Sequence, residues 1–166
     1  MKRIGVLSDT HGTLPKQVYT FFKDCDEIWH AGDCGPNVVE ELKKFKPLRA
    51  VWGNVDDYSM HYDYPKINIF ECENLKIIMT HIGGYPRHYQ TAIKQILLQE
   101  KPDIFISGHS HILKVMYDKD LNLLHINPGA AGHQGFQKVD TLVRFTIDGT
   151  PKNLEILNFP KFPPKE

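Results

Sequence analysis

Residues 3–11 read Arg3-Ile4-Gly5-Val6-Leu7-Ser8-Asp9-Thr10-His11. The run from Arg3 to Ser8 is short and apolar, and it stops at a carboxylate, as a buried strand does when it ends at a polar corner. The same figure recurs along the chain. Residues 26–31 stop at Gly32 and Asp33, 48–52 at Gly53 and Asn54, and 75–80 at His81. Residues 103–107 stop at Gly108 and His109, and 121–126 at Asn127, Pro128 and Gly129. Between several of these runs the periodicity is helical. Residues 15–23 and 36–45 both begin with proline, tolerated in a first turn, and 36–45 carries Val38, Val39 and Leu42 on one stripe. Residues 87–99 place Ala92, Ile93, Ile96 and Leu97 on one face, and Pro102 follows as a stop.

Strands alternating with helices imply βαβ units and a largely parallel sheet. From about residue 112 the character changes. Residues 112–117, 121–126, 141–147 and 153–157 read as consecutive strands, with a tight turn at Asp118-Lys119-Asp120, which predicts a second, more antiparallel sheet. The expected architecture is two sheets packed face to face with helices outside. Residues 1–158 are expected to form a single domain, and 159–166, in a proline-rich stretch without periodicity, a surface tail.

The bulk composition excludes several classes. The chain has 166 residues, 41% hydrophobic and 24% charged, the balance of a globular domain rather than a disordered segment. Lys plus Arg and Asp plus Glu both total 20, so there is no positive field for non-specific binding to nucleic acid or a membrane surface. The apolar run after Lys2 and Arg3 is too short for a signal peptide or a membrane span. Cys25, Cys34 and Cys72 are odd in number and widely spaced, so no disulfide framework is expected and a reducing cytoplasm is the default location. Cys34 directly follows Asp33 and is read as a small buried residue.

The chemistry lies at the strand ends. Asp9, Asp33, Asn54, His81 and His109 follow one another at spacings of 24, 21, 27 and 28 residues, each about one strand–connection–strand unit. Ligands of open α/β sheets bind outside the carboxyl ends of the strands, so these side chains are expected to share one crevice. His11 lies two after Asp9 and His111 two after His109. In extended chain such pairs project to the same side, so each pair can address one ion. Two carboxylates, one carboxamide and four imidazoles form a mixed oxygen and nitrogen set. It suits Mn, Fe, Zn, Ni or Co better than Ca or Mg. Seven ligands are enough for two ions sharing a carboxylate. Two ions about 3.5–4 Å apart can hold the attacking and leaving oxygens of an in-line displacement and lower the pKa of water towards about 7. Hydrolysis of an anionic phosphate ester needs both effects. The glycines before Asp33, Asn54 and His109 let backbone approach such a site closely.

The ordered blocks Asp9-Thr10-His11, Gly32-Asp33, Gly53-Asn54-Val55-Asp56, His81 and Gly108-His109-Ser110-His111 resemble those of the calcineurin-like metallophosphoesterases. The length and Asn127-Pro128-Gly129 resemble that family's small bacterial and archaeal phosphodiesterase branch, and the resemblance spans residues 4 to about 147. It implies an α/β/β/α sandwich of two mixed sheets flanked by helices, with a dinuclear centre, commonly of manganese. Carried over by position, Asp9, His11 and His111 hold the first metal, Asp33 bridges, and Asn54, His81 and His109 hold the second. Asp33, Asn54 and His81 are thereby the catalytic candidates, with Asn54 also touching the substrate phosphate. Many members carry His after the Gly-Asn pair, where it serves as a general acid. Val55 stands there in this chain, so leaving-group protonation comes from elsewhere, or esters with good leaving groups are favoured.

The expected activity is metal-dependent hydrolysis of a small phosphate ester, foremost a diester. A phosphomonoesterase or nucleotide hydrolase on the same site is an alternative. So is a protein-docking module like the retromer scaffold subunit, which shares the fold but has lost part of the ligand set. Homo-oligomerisation through the second sheet is open. Further candidates are His30 to orient Asp33, His133 and Arg87 to contact substrate, and Asp56 to hydrogen-bond near the site. His61, His88, His125, Tyr58, Tyr62 and Tyr64 are read as core or loop residues.

Overall fold

A computed structural model describes residues 1–162. The opening run forms β1 (Lys2–Leu7), and the chain continues through α1 (Gln17–Phe21), β2 (Glu27–His30), α2 (Val38–Phe45), β3 (Leu48–Ala50), α3 (Tyr58–Asp63) and β4 (Ile67–Cys72). It proceeds through β5 (Leu75–Thr80), α4 (Thr91–Glu100), β6 (Ile104–Ile106), β7 (Leu113–Asp118), β8 (Leu123–Pro128), β9 (Val139–Asp148) and β10 (Thr150–Pro160). Two five-stranded sheets result, ordered β10-β9-β1-β2-β3 and β4-β5-β6-β8-β7. Both are mixed: β1, β2 and β3 run parallel, as do β5, β6 and β8, while β9, β10, β4 and β7 pair antiparallel.

The central strands β2 and β6 are buried along their whole length and β1 and β5 along most of theirs, because both faces of each sheet are covered there. Ile4, Val6, Trp29, Val143 and Phe145 of the first sheet meet Ile77, Met79, Ile104, Ile106 and Ile126 of the second in one buried layer. On the outer face of the first sheet, Leu7 and Ile28 pack under Val18, Phe22, Val38 and Leu42 of the α1 and α2 region. On the outer face of the second, Ile78, Phe105 and Leu123 pack under Ile93 and Leu97 of α4. The expected α/β/β/α layering is therefore present. In α2, Glu40 and Glu41 occupy the first turn and Lys43 and Lys44 the last, each sign complementing the helix dipole.

The later strands partition differently from the sequence reading. β7 and β8 do form a hairpin in the second sheet, but β9 crosses back to pair with β1 from Lys2↔Ile147 to Val6↔Val143, carrying β10 with it. Alternation specifies a strand, not its partner, and β1 had a free edge. Two elements went unread. β4 is an antiparallel partner of β5 through a two-residue turn, Glu73-Asn74, with both residues at positive φ as a type I′ turn requires. α3 is short and starts at Asp57, whose side chain accepts a hydrogen bond from Ser59 N at 3.1 Å. On it Tyr58 and Tyr62 are exposed rather than buried in core. β10 runs to Pro160, with Phe159 buried and Lys161 Nζ donating to Gly135 O at 2.6 Å, so the chain holds to the sheet beyond the expected boundary at 158. Residues 163–166 of the expected tail lie outside the described residues.

At the amino end of β2, Glu27 is a buried carboxylate. Its oxygens accept from Trp29 Nε1 at 3.0 Å, from Lys2 Nζ at 3.1 Å and from Arg49 Nε. Arg49 lies over the Phe70 ring of the other sheet at 4.5 Å, so this cluster also ties the layers together. Burial opposes ionisation of Glu27, but Trp29, Lys2 and Arg49 outweigh it and hold its pKa below the ordinary value. A carboxylate so depressed stabilises the fold above its unfolded pKa, and that contribution disappears as pH falls through the folded value. Glu27→Gln keeps the acceptor for Trp29 but loses the charge. Urea denaturation is expected to show a loss of about 1 kcal/mol at pH 7 that shrinks on acidification towards pH 4. A deficit independent of pH would show that the charge is not what matters there.

Candidate metal centre

The corners after β1, β2, β3, β5 and β6 lie at one end of the sandwich. The first two corners continue as if they were strands: Asp9 N donates to Gly32 O at 3.0 Å, His11 N to Asp33 O at 3.0 Å, and Gly12 N to Cys34 O at 2.8 Å. Five of the seven candidate ligands, Asp9, His11, Asp33, His109 and His111, have positive φ, between 46° and 69°. For residues with a Cβ this left-handed backbone is uncommon and costs about 1–2 kcal/mol each, so it persists only where the surroundings impose it.

The ligating atoms fall into two groups, Asp9, His11 and His111, and Asp33, His81 and His109, each within 4.8 Å. Asp9 Oδ1 lies 3.2 Å from His111 Nε2 and 3.7 Å from both His11 Nε2 and His81 Nε2. Asp33 Oδ2 lies 3.0 Å from His81 Nε2 and 3.8 Å from His11 Nε2, so it reaches an imidazole of each group. Asn54 is exposed at the rim, with Oδ1 3.1 Å from His109 Nδ1. The structure therefore brings all seven predicted residues together. The grouping is the one the family resemblance implies, with His111 beside Asp9 and His11, and His109 beside Asp33 and His81; the expectation from spacing alone, that His109 and His111 address one ion together, does not hold.

The set fits metal ions. Asp9 Oδ1, His11 Nε2 and His81 Nε2 are buried and have no hydrogen-bond partner among the described residues, although they crowd one spot. Two ligands bonded at about 2.1 Å and at right angles round one ion lie about 3 Å apart, the spacing seen for Asp33–His81 and His111–Asp9. The imidazoles are oriented for this. His81 Nδ1–H donates to Ala31 O at 2.8 Å, and His111 Nδ1–H to Gln137 Oε1 at 3.0 Å, leaving each Nε2 lone pair facing inward. Gln137 is itself fixed, its Nε2 donating to Gly132 O and Gln134 O. Burial opposes ionisation of Asp9. The imidazoles of His11, His111 and His81, with the Ser8 hydroxyl, overcome it and hold the carboxyl well below the usual range. Asp33 is likewise lowered against its burial, chiefly by His81. The partner rings respond: His81 is raised despite burial, by Asp33 and Asp9, and His111 is raised by Asp9. Both shifts favour positive charge beside the two carboxylates, which a metal ion would supply.

Several supports were not singled out in the sequence. Ser8 Oγ donates to Asp9 Oδ2 at 2.6 Å, and His109 N donates to the same oxygen at 3.1 Å, which leaves Oδ1 free to face the rings. Val55 N donates to Asp33 Oδ1 at 2.9 Å. Asp56 accepts from Gly35 N at 3.0 Å and Gly53 N at 2.9 Å, clamping two corners, and so does hydrogen-bond near the site. Ser8 stands in the opening run just before Asp9 and was findable there, whereas Asp56 was already read from the sequence as hydrogen-bonding near the site. Gln137 comes from a distant loop with no local pattern. The glycines act as expected: a Cβ on Gly53 would stand 2.1 Å from Asp33 Oδ1, one on Gly108 2.2 Å from Ser8 Oγ, and one on Gly32 2.7 Å from His81 Nδ1.

Other candidates land elsewhere. His30 does not touch the Asp33 side chain. It accepts from Gly32 N at Nδ1 and meets Thr10 Oγ1 at Nε2, 3.0 Å, bracing the two corners through a buried ring whose pKa burial lowers to about 4. His133 stacks on Phe162 at 5.2 Å. Arg87 lines a separate hollow beside Met116–Asp120.

Residues 1–150 match the family described as the calcineurin-like phosphoesterase superfamily domain. A probable metallophosphoesterase of Methanothermobacter thermautotrophicus is 33% identical over 162 residues, covering 93% of this chain and 91% of that one. An archaeal phosphodiesterase of known structure superposes with a TM-score of 0.77 at 22% identity, covering 95% of this chain and 99% of the other. Vps29 of Entamoeba histolytica, solved in complex with zinc, does so with 0.62 at 20% identity, covering 94% and 98%. These two likenesses bear on the fold alone, whereas the family match and the first relative bear on descent: the chain belongs to the calcineurin-like phosphoesterase superfamily.

Proposed function

We propose that the protein is a metal-dependent phosphodiesterase with a two-ion centre, manganese being the metal that the family resemblance implies, while the mixed oxygen and nitrogen ligands also suit iron, zinc, nickel or cobalt. The observation that carries this reading is the convergence beside Asp33 of buried Asp9 Oδ1, His11 Nε2 and His81 Nε2, which have no hydrogen-bond partner among the described residues. Asp9, His11 and His111 would hold one ion and Asn54, His81 and His109 the other, with Asp33, whose carboxylate reaches an imidazole of each group, shared between them. A bound pair of divalent ions neutralises charge on the phosphoryl group and lowers the pKa of water, supplying a nucleophile at neutral pH. The chain's own part is to keep both carboxylates ionised, to hold the imidazoles in one tautomer, and to receive the ester. Asn54, exposed at the rim with Oδ1 turned towards His109, has its amide NH2 available to a phosphoryl oxygen. The three cysteines are free, buried thiols, in keeping with a reducing cytoplasm.

Position 55 offers no proton. Val55 is 64% exposed beside Asn54, so nothing there protonates a departing oxygen, and esters whose leaving group is stable as an anion suit this site.

With Mn2+, bis(4-nitrophenyl) phosphate is expected to turn over, and Asp33→Ala to lower kcat/KM by about 1000-fold or more. A panel of monoesters and cyclic nucleotides under the same conditions is expected to run slower. Wild-type turnover no faster than that of the variant would reject the hydrolase, and a dominant monoester would redirect it to the phosphomonoesterase alternative.

Val55→His is expected to raise kcat for alkyl diesters by about ten-fold or more while changing nitrophenyl diesters little. Equal changes for both classes would mean that the exposed imidazole does not serve the leaving group.

A further inference from the structure

The loop between β8 and β9 reaches the centre from outside it. Residues 133–136 are exposed, and among the described residues no main-chain group of residues 132–137 bonds to another main-chain group. Side chains and close packing therefore set where this loop lies. Gly135 sits directly on the ligand His111: a Cβ there would stand 2.2 Å from His111 Nδ1 and 2.4 Å from Gln137 Oε1. Its φ of 99° favours glycine as well. At the inner end of the loop, a Cβ on Gly132 would stand 2.2 Å from Thr10 O, beside the Asp9 corner.

The outer part of the loop is held by the residues that follow β10. Lys161 N donates to Lys138 O at 3.3 Å, and Lys161 Nζ to Gly135 O at 2.6 Å. Only 8% of Lys161 is exposed. A lysine is almost never buried without a charged partner, yet this one gives its head group to a backbone carbonyl. Burying that group costs free energy, so its placement calls for a reason beyond stability. Phe162 stacks on His133 with ring centres 5.2 Å apart and holds the same loop at a second point.

We propose that Lys161, assisted by Phe162, is a positioning residue of the metal centre: it seats Gly135 against His111, so that Gln137 keeps the His111 ring turned towards the ion shared with Asp9 and His11. The inference rests on the two-ion phosphoesterase reading above. The line of contact is continuous. It runs from Lys161 Nζ to Gly135 O, from Gly135 to the His111 ring, and from His111 Nδ1–H to Gln137 Oε1 at 3.0 Å. The other group is braced separately, His81 by Ala31 O, Asp33 by Val55 N and His109 by Asn54. The effect of Lys161 therefore falls on one ion. Partners that orient a ligating imidazole from behind are worth about 10–100-fold in metal affinity.

Lys161→Met keeps the length of the buried side chain and removes the donor. Calorimetric titration of chelator-stripped protein with Mn2+ is expected to show one ion bound about ten-fold more weakly or worse, and the other bound as in the wild type. The weakened ion is the one that His111→Ala abolishes. Gln137→Leu breaks the same line nearer the metal, so Lys161→Met added to it is expected to change little further, whereas a general loosening of the fold adds its full effect. Phe162→Ala, at a position 63% exposed, is expected to weaken the same ion and covers the case in which Lys161→Met folds poorly. Unchanged affinities in Lys161→Met and Phe162→Ala, equal losses at both ions, or a loss that persists in full beside Gln137→Leu overturns the positioning role and leaves the phosphoesterase reading standing. Uptake of fewer than two ions by the wild type overturns the two-ion reading and this inference together.

Discussion

Asp9 is an ionised carboxylate with no contact with solvent, and the site is organised around that fact. A buried charge is tolerated only when it is hydrogen-bonded and paired. Ser8 Oγ and the His109 amide satisfy one oxygen, and the other looks towards three imidazoles. Because His109 lies 100 residues further on, the amide bond fastens the corner after β6 to the corner after β1 and so brings the two sheets into register at their carboxyl ends. The His81 ring completes the link, donating to Ala31 O in the opposite sheet while facing Asp33.

Close packing of backbone at those corners explains the glycines. At Gly53 even a methyl group would collide with the Asp33 carboxylate and amide, and at Gly32 with the His81 ring. The left-handed backbone of Asp9, His11, Asp33, His109 and His111 has the same origin. Strain spread over five residues of one cluster is what a site imposes when ligand geometry outranks local preference. The buried layer between the sheets and the cluster at Glu27, remote from the site, carry the stability that this arrangement draws upon.

Much of this was legible in the sequence, because strand-end chemistry repeats at a readable interval. Asp9, Asp33, Asn54, His81 and His109 could be placed in one crevice by counting strands, and their residue types named the chemistry. What was not legible has physical causes. β9 could have joined either sheet, since its alternation is equally satisfied by both, and only the free edge of β1 decided. β4 had its turn residue in Asn74 but a weaker apolar pattern, with three of its six residues half-buried and two exposed at a sheet edge. His109 and His111 fall in different groups whereas Asp9 and His11, at the same spacing, share one, a difference that spacing does not encode. Gln137 fixes the His111 tautomer from a loop whose position depends on where β9 goes, so it was out of reach until that pairing was known.

Everything depends on cations occupying the space that Asp9, His11, Asp33 and His81 surround. Chelator-stripped protein titrated with Mn2+ and followed by calorimetry, with metal content measured after desalting, addresses this most directly. Two ions per chain, with Asp33→Ala weakening both because it reaches each group, is the expected result. Saturation at one ion, or no uptake by correctly folded protein, would contradict the two-ion centre.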